Sequence, residues 1–118
     1  MAIRLDIANP GSAGATHPRS FVQDRVIIGR ARSCDVCLPD MAVSTRHAEI
    51  RLDGTDYKAV DLDSLNGTFV AGQRLVPHRP RRLSNEDVLE VAGFSLRFRL
   101  GVAPGPPAGR DEAALPAR

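Results

Sequence analysis

The chain has 118 residues and a formal net charge of +2, with 25% charged and 42% hydrophobic residues. This length favours one domain, and the composition is that of a globular protein. The small net charge argues against general affinity for nucleic acid or membranes, and two cysteines are too few for a disulfide scaffold. No stretch has the pattern of a signal peptide or the length of a membrane-spanning helix, so we expect a cytoplasmic protein.

Aromatic side chains are scarce in this sequence. It has four Phe, one Tyr and no Trp, so the core is expected to consist mainly of Val, Ile and Leu. The largest predicted core residues are Phe21, Phe69, Phe94 and Phe98. Lys58 is the only lysine, and a codon bias towards Arg, Ala and Pro explains the excess of arginine as a whole. Only particular arginines therefore argue for a function.

Short alternating segments predict β-strands along most of the chain. At the N-terminus Ile3, Leu5 and Ile7 alternate with polar or small residues, and near the C-terminus residues 94–100 show the most regular alternation. The turn sequence 53–56 predicts a hairpin. The predicted strands cover, in chain order, residues 3–7, 26–28, 34–37, 48–52, 57–62, 68–70, 74–76, 88–91 and 94–100.

The spacing of strands and turns predicts an all-β fold. About ten short strands separated by turns indicate an antiparallel β-sandwich rather than alternating β and α units. The only helical candidate is the segment 84–87, which is too short for more than one turn. We expect the domain to cover residues 1–102 and the Pro/Gly/Ala-rich residues 103–118 to form a disordered tail or a linker to a further domain.

Three loop segments carry the residues that suggest a function. They are Gly29-Arg30, the segment 44–48 and the segment 64–68, and each lies beside a predicted strand. Because loops at one end of a sandwich cluster, these residues can converge. An Arg side chain, a Ser hydroxyl and a backbone N–H together suit a tetrahedral dianion such as a phosphate group. An Asn beside them can both donate to and accept from a peptide backbone.

These segments resemble the forkhead-associated (FHA) domain, whose members are known phospho-motif readers. The resemblance covers residues 3–101 as an architecture, and its specific part extends from Ile28 to Leu75. The matching stretches are I-G-R-A-R-S-C-D-V-C-L, V-S-T-R-H-A-E-I and D-L-D-S-L-N-G-T-F-V-A-G-Q-R-L. The resemblance implies an eleven-stranded sandwich of the FHA/SMAD-like type, with the binding loops at one end.

The resemblance also implies a role for each matching residue. Arg30 and the Ser44 hydroxyl are expected to contact the phosphate with help from the backbone amide of Thr45, and Asn66 is expected to hold the peptide backbone. The residues expected to shape the loops are Gly29, His47, Gly67 and Thr68. The sequence departs from the family at three positions: Thr45 replaces a longer Arg, Lys or Asn, Leu65 replaces a hydroxyl or cationic residue, and Ala71 replaces a second Asn.

The resemblance implies a binding module without catalytic residues, metal or cofactor. Its partner is expected to be a phosphothreonine-containing protein modified by a Ser/Thr kinase, and neither nucleic acid nor a membrane. The sequence leaves the oligomeric state open. The alternative is a phosphate-independent scaffold module of a larger regulatory or secretion complex, since fold alone does not establish function.

Two other motifs have structural explanations. Cys34 and Cys37 form a C-x-x-C pair, but no second pair accompanies it, and positions three apart on a strand face opposite sides. The basic cluster at residues 78–82 lacks the aromatic residues that stack on nucleic-acid bases. We therefore expect Cys34 to be a small core residue and the basic cluster to be a solvated loop.

Overall fold

A computed structural model describes residues 2–10 and 16–101, so the predicted tail at 103–118 lies outside the described residues. The described part contains eleven strands and no helix, and hence no helix that could span a membrane. The strands are β1 (Ile3–Ala8), β2 (His17–Phe21), β3 (Arg25–Gly29), β4 (Val36–Cys37), β5 (Ala48–Asp53), β6 (Asp56–Asp61), β7 (Thr68–Val70), β8 (Gln73–Arg74), β9 (Arg81–Arg82), β10 (Val88–Val91) and β11 (Phe94–Leu100).

The strands form two sheets, which confirms the predicted sandwich. The six-stranded sheet has the order β2-β1-β11-β10-β7-β8, and the five-stranded sheet has the order β4-β3-β5-β6-β9. The pairs are antiparallel except for β3 and β4, which run parallel. The segment 84–87 forms a turn instead of a helical turn. In this turn the Asp87 N–H donates to the Ser84 carbonyl oxygen at 3.0 Å, and Glu86 has a positive φ of 76°.

Alternation along the strands builds the core between the two sheets. Ile3, Leu5 and Ile7 of β1 are buried, and their register partners on β11 include Phe98 and Leu96. Because successive side chains of a strand point to opposite faces, the residues between them face outward. Full burial of one such side chain contributes roughly 1.5–3 kcal/mol relative to exposure. The alternating apolar residues in the sequence of β1 and β11 therefore form the core side of two neighbouring strands in the larger sheet.

The prediction that Phe69 is a large core residue is wrong. Phe21, Phe94 and Phe98 are buried, but Phe69 is only half-buried because its neighbours Thr68 and Val70 take the inward positions of β7. The buried aromatic residue that sequence analysis missed is Tyr57, whose ring packs edge-on against Phe98 with the ring centroids 5.7 Å apart.

Two edge strands escaped prediction because their sequences do not alternate. β2 has four exposed residues and one buried residue, and it contains Pro18. β9 belongs to the basic cluster 78–82, which we expected to be entirely a solvated loop. Instead, Arg81 and Arg82 pair with Ala59 and Lys58 of β6, so only the first part of this cluster is a loop. Edge strands are short and polar in many sheets, and tertiary pairing rather than sequence pattern defines them.

Candidate functional site

Three loops meet at one end of the sandwich. They comprise residues 30–35 after β3, 38–47 before β5 and 62–67 between β6 and β7. Since β5 is antiparallel to both β3 and β6, the end of β3, the start of β5 and the end of β6 lie at the same end of their sheet. This topology brings the three sequence segments that carry the predicted site residues to one place.

Arg30 is exposed, and its side chain is held across the second loop. Its Nε donates to the Val43 carbonyl oxygen at 3.1 Å, and Nη2 lies 3.4 Å from Thr45 Oγ1. Its backbone N–H donates to the Ser44 carbonyl oxygen at 3.0 Å. An arginine has five N–H donors, so these contacts orient the guanidinium group and leave donors for an anion.

Ser44 connects the second and third loops through its side chain. The Ser44 Oγ accepts a hydrogen bond from the Leu65 N–H at 3.0 Å. A hydroxyl group has one donor and two acceptor positions, so this contact leaves the O–H free to donate to a further acceptor. The backbone N–H of Thr45, the next residue, donates to no acceptor among the described residues. The two donors are adjacent in the chain and lie beside Arg30.

Asn66 is exposed and links the third loop to the second. Its Nδ2 donates to the Ala42 carbonyl oxygen at 2.7 Å. The amide oxygen and the second N–H are not used in this contact, so they can accept from and donate to a peptide backbone. Its neighbour Leu65 is 84% exposed, and Met41 in the second loop is 85% exposed. Both large apolar side chains flank the polar groups at this end.

His47 lies beneath these loops and joins them. It is fully buried, its Nδ1 accepts from the Ser44 N–H at 3.1 Å, and its Nε2 lies 2.8 Å from the Gly67 carbonyl oxygen. Because a backbone N–H can only donate and a carbonyl can only accept, the imidazole is neutral with its proton on Nε2. The ring thereby fixes the spacing between the Ser44 and Asn66 segments.

Asp61, which was not among the predicted site residues, is a second buried support for the loops. Its carboxylate accepts from the Ser64 N–H at 3.1 Å, the Ser64 hydroxyl at 2.5 Å and the Thr68 hydroxyl at 2.6 Å. The Ser64 Oγ in turn accepts from the Gly67 N–H at 3.0 Å. This network closes the third loop into a fixed turn. The D-x-x-S spacing was the signal that could have revealed it, because an Asp side chain can accept a hydrogen bond from the backbone N–H three residues further on.

Two glycines permit the close approach of the loops. A Cβ on Gly29 would overlap the carbonyl oxygen of Thr45 and approach Cys34 Sγ to 2.9 Å. Gly67 has a φ of +87°, a conformation that favours glycine. A Cβ at Gly67 would lie 2.8 Å from Nε of Arg74, so the guanidinium group of Arg74 covers this turn.

Cys34 and Cys37 of the C-x-x-C pair are free thiols in different environments. Cys34 lies in the loop before β4 and is buried, whereas Cys37 is on β4 and is exposed. Burial raises the pKa of the Cys34 thiol above its ordinary value of 9.0. Within residues 2–10 and 16–101, no group of three or more His, Cys, Asp or Glu residues could hold a metal ion.

Known proteins are similar to this chain in sequence, and solved structures are similar to it in fold. The family model described as FHA domain matches residues 26–92. The glycogen accumulation regulator GarA of Mycobacterium tuberculosis is 35% identical over 113 residues, which cover 89% of this chain and 65% of that protein. The oxoglutarate dehydrogenase inhibitor of Corynebacterium jeikeium is 40% identical over 79 residues, covering 67% of this chain and 53% of that protein. The chain thus spans about half to two thirds of the length of these curated relatives.

One similar solved structure comes from an analysis of phosphothreonine-dependent FHA domain interactions. It has a TM-score of 0.72 and 28% sequence identity, and the match covers 87% of this chain and 100% of that one. The family match at residues 26–92 includes the three loop segments, and the structural similarity covers most of the chain.

Proposed function

Because the chain belongs to the FHA domain family, we propose that it binds a phosphothreonine-containing segment of a partner protein. In this proposal Arg30, the Ser44 hydroxyl and the Thr45 amide contact the phosphate. Asn66 holds the peptide backbone next to the phosphothreonine. Gly29, His47, Gly67 and Thr68 support the loops without touching the ligand. The partner is a substrate of a Ser/Thr kinase, and the chain acts by binding rather than by catalysis.

The observation that carries this proposal is the cross-linking of the three loops by hydrogen bonds between their own residues. The contacts Leu65 N–H to Ser44 Oγ and Asn66 Nδ2 to the Ala42 carbonyl oxygen hold two loops together, and Arg30 binds across the second. Each anchored side chain keeps at least one donor free. Preorganised donors bind an anion with less loss of conformational freedom than mobile ones, so the site favours a dianionic phosphate.

Preference for phosphothreonine over phosphoserine follows from one methyl group. Burial of that methyl contributes about 0.8 kcal/mol, which corresponds to roughly a fourfold difference in affinity. A modest preference is therefore the expected result, and the phosphate itself supplies most of the discrimination against an unmodified segment.

The test is a comparison of phosphothreonine, phosphoserine and unmodified forms of one degenerate peptide library. We expect retention of the phosphothreonine library and none of the unmodified one. Arg30→Ala should abolish this binding without lowering the unfolding midpoint, since its side chain is exposed. The matched control is Arg97→Ala, because Arg97 pairs with Glu86 at 3.4 Å in the turn at the opposite end of the sandwich. Equal retention of all three libraries would refute the proposal.

The second candidate is a phosphate-independent scaffold, which the exposed apolar side chains of Met41 and Leu65 favour. Such a module would bind its partner equally well after phosphatase treatment and in the Arg30→Ala variant. Replacing Leu65 by Ser would then weaken binding more than replacing Arg30.

A further inference from the structure

A basic groove lies at one edge of the sandwich, and one of its residues, Arg74, lies over Gly67 of the third loop. The groove has a volume of about 370 Å³ and is lined by Arg74 and Val76, by Arg79, and by Arg81 and Arg82. β8 ends the six-stranded sheet and β9 ends the five-stranded sheet, so the groove lies between the edges of the two sheets. None of the residues that line it is acidic.

The four arginines of the basic groove differ in what they already contact. Arg81 donates to the Val70 carbonyl oxygen at 2.6 Å, and Arg82 lies 3.6 Å from the Asp56 carboxylate. Arg74 and Arg79 are exposed, and neither forms an ion pair within the described part of the chain. Arg74 and Arg79 therefore supply positive charge that the fold itself does not neutralise.

Arg74 connects the basic groove to the candidate site. Its Nε, Cζ and Nη2 atoms lie 2.8–3.2 Å from the place where a Cβ on Gly67 would be, so the guanidinium group lies directly over the Gly67 backbone. Gly67 follows Asn66, the residue proposed to hold the ligand backbone. A ligand segment that passes Asn66 on this side meets Arg74 first and the rest of the basic groove next.

We propose that the basic groove binds an acidic segment of the same partner that carries the phosphothreonine. This inference rests on the proposed function, because the phosphate places the segment at the groove. Arg74 and Arg79 form ion pairs with Asp or Glu side chains, and the exposed Val76 provides an apolar contact within the groove. A protein segment fits better than nucleic acid, because no aromatic side chain for base stacking lines the groove.

The experiment uses the full chain and three phosphothreonine peptides with the same residues next to the phosphothreonine. The first has an extension of Asp and Glu, the second of Ser and Gly, and the third of Lys. Each peptide is made in two versions, with the extension before or after the phosphothreonine. We expect the acidic extension on one side to bind about tenfold more tightly than the neutral one. Each of two partly exposed ion pairs should raise the affinity about threefold, and the two factors multiply. The gain should shrink as salt is raised from low to physiological concentration.

Substitutions of the groove arginines test whether these residues cause the gain in affinity. Arg74→Gln and Arg79→Gln should each remove part of the gain, and the double variant should bind acidic and neutral peptides equally. The matched control is Arg97→Gln, which removes the same charge from β11, three strands away from β8 in the same sheet. It should retain the gain.

Three results would overturn the inference. The first is equal binding of acidic and neutral peptides by the unaltered chain, and the second is a gain in affinity that survives in the double variant. The third is an oligonucleotide that binds more tightly than the acidic peptide and loses this binding in Arg79→Gln. Failure of the neutral phosphothreonine peptide to bind at all would instead refute the proposed function. The two failures are therefore distinguishable.

Discussion

Replacing His47 by Ala tests whether one buried side chain holds the binding loops in place. The imidazole is fully buried and bridges the Ser44 N–H at 3.1 Å and the Gly67 carbonyl oxygen at 2.8 Å. Removal leaves these two backbone groups without partners, and each unsatisfied group costs about 1–3 kcal/mol. A cavity of the size of the ring adds to this cost unless the loops collapse. We expect a loss of about 3 kcal/mol in the free energy of unfolding, the sum of two such groups near the lower part of that range.

The assay for His47→Ala is urea unfolding followed by circular dichroism, with phosphopeptide affinity measured on the same samples. For a slope of about 2 kcal/mol per molar urea, the midpoint should fall by about 1.5 M. Affinity should fall as well, because the Ser44 and Asn66 segments lose their common support. Arg30→Ala serves as the contrasting variant, since it should remove binding and keep the midpoint. A His47→Ala protein with an unchanged midpoint and unchanged affinity would refute the role given to this residue.

Three further variants or reactions test other parts of the structure. Gly29→Ala should lose about 1–3 kcal/mol of stability and weaken phosphopeptide binding, because its Cβ would displace the Thr45 backbone; unchanged affinity in peptide titrations would contradict this. Burial raises the pKa of Tyr57 above its ordinary value of 10.0, and its hydroxyl has no hydrogen-bond partner among the described residues. The stability that this raised pKa contributes is present below pH 10 and is lost as the pH rises further, so above pH 10 the urea midpoint of the unaltered chain should fall further than that of Tyr57→Phe. Iodoacetamide should modify only Cys37 in the native protein and both cysteines in urea, as counted by mass spectrometry, because burial raises the pKa of the Cys34 thiol; rapid double modification of the native protein would show that Cys34 is accessible.

The supporting residues divide the candidate site into two layers with different mutational consequences. Arg30 and Asn66 are exposed, so their removal should weaken binding far more than stability, although each removal also deletes one hydrogen bond between loops. His47 and Asp61 are buried and hold backbone groups, so their removal should affect stability and binding together. This division explains why a loss of binding in a variant does not by itself identify a residue that contacts the ligand.

Sequence by itself determined the all-β class, the central strands and the segments that carry the candidate site. Alternation at Ile3, Leu5 and Ile7 and in residues 94–100 predicts strands because a half-buried strand requires an apolar residue at every second position. The same local logic places Arg30 and the segments around Ser44 and Asn66 in loops, whereas Gly29 is the last residue of β3. It correctly predicts burial of Cys34, although that residue lies in a loop and not on a strand.

Only the tertiary structure decided which elements pair and which charges remain free. β2 and β9 are strands because neighbouring strands supply their hydrogen bonds, and their own sequences show no alternation. The face of Phe69 depends on the register of β7, which a segment of three residues does not reveal. The position of Arg74 over Gly67 depends on the pairing of β7 with β8. Side-chain contacts of this kind arise from packing in three dimensions, and no spacing along the chain encodes them.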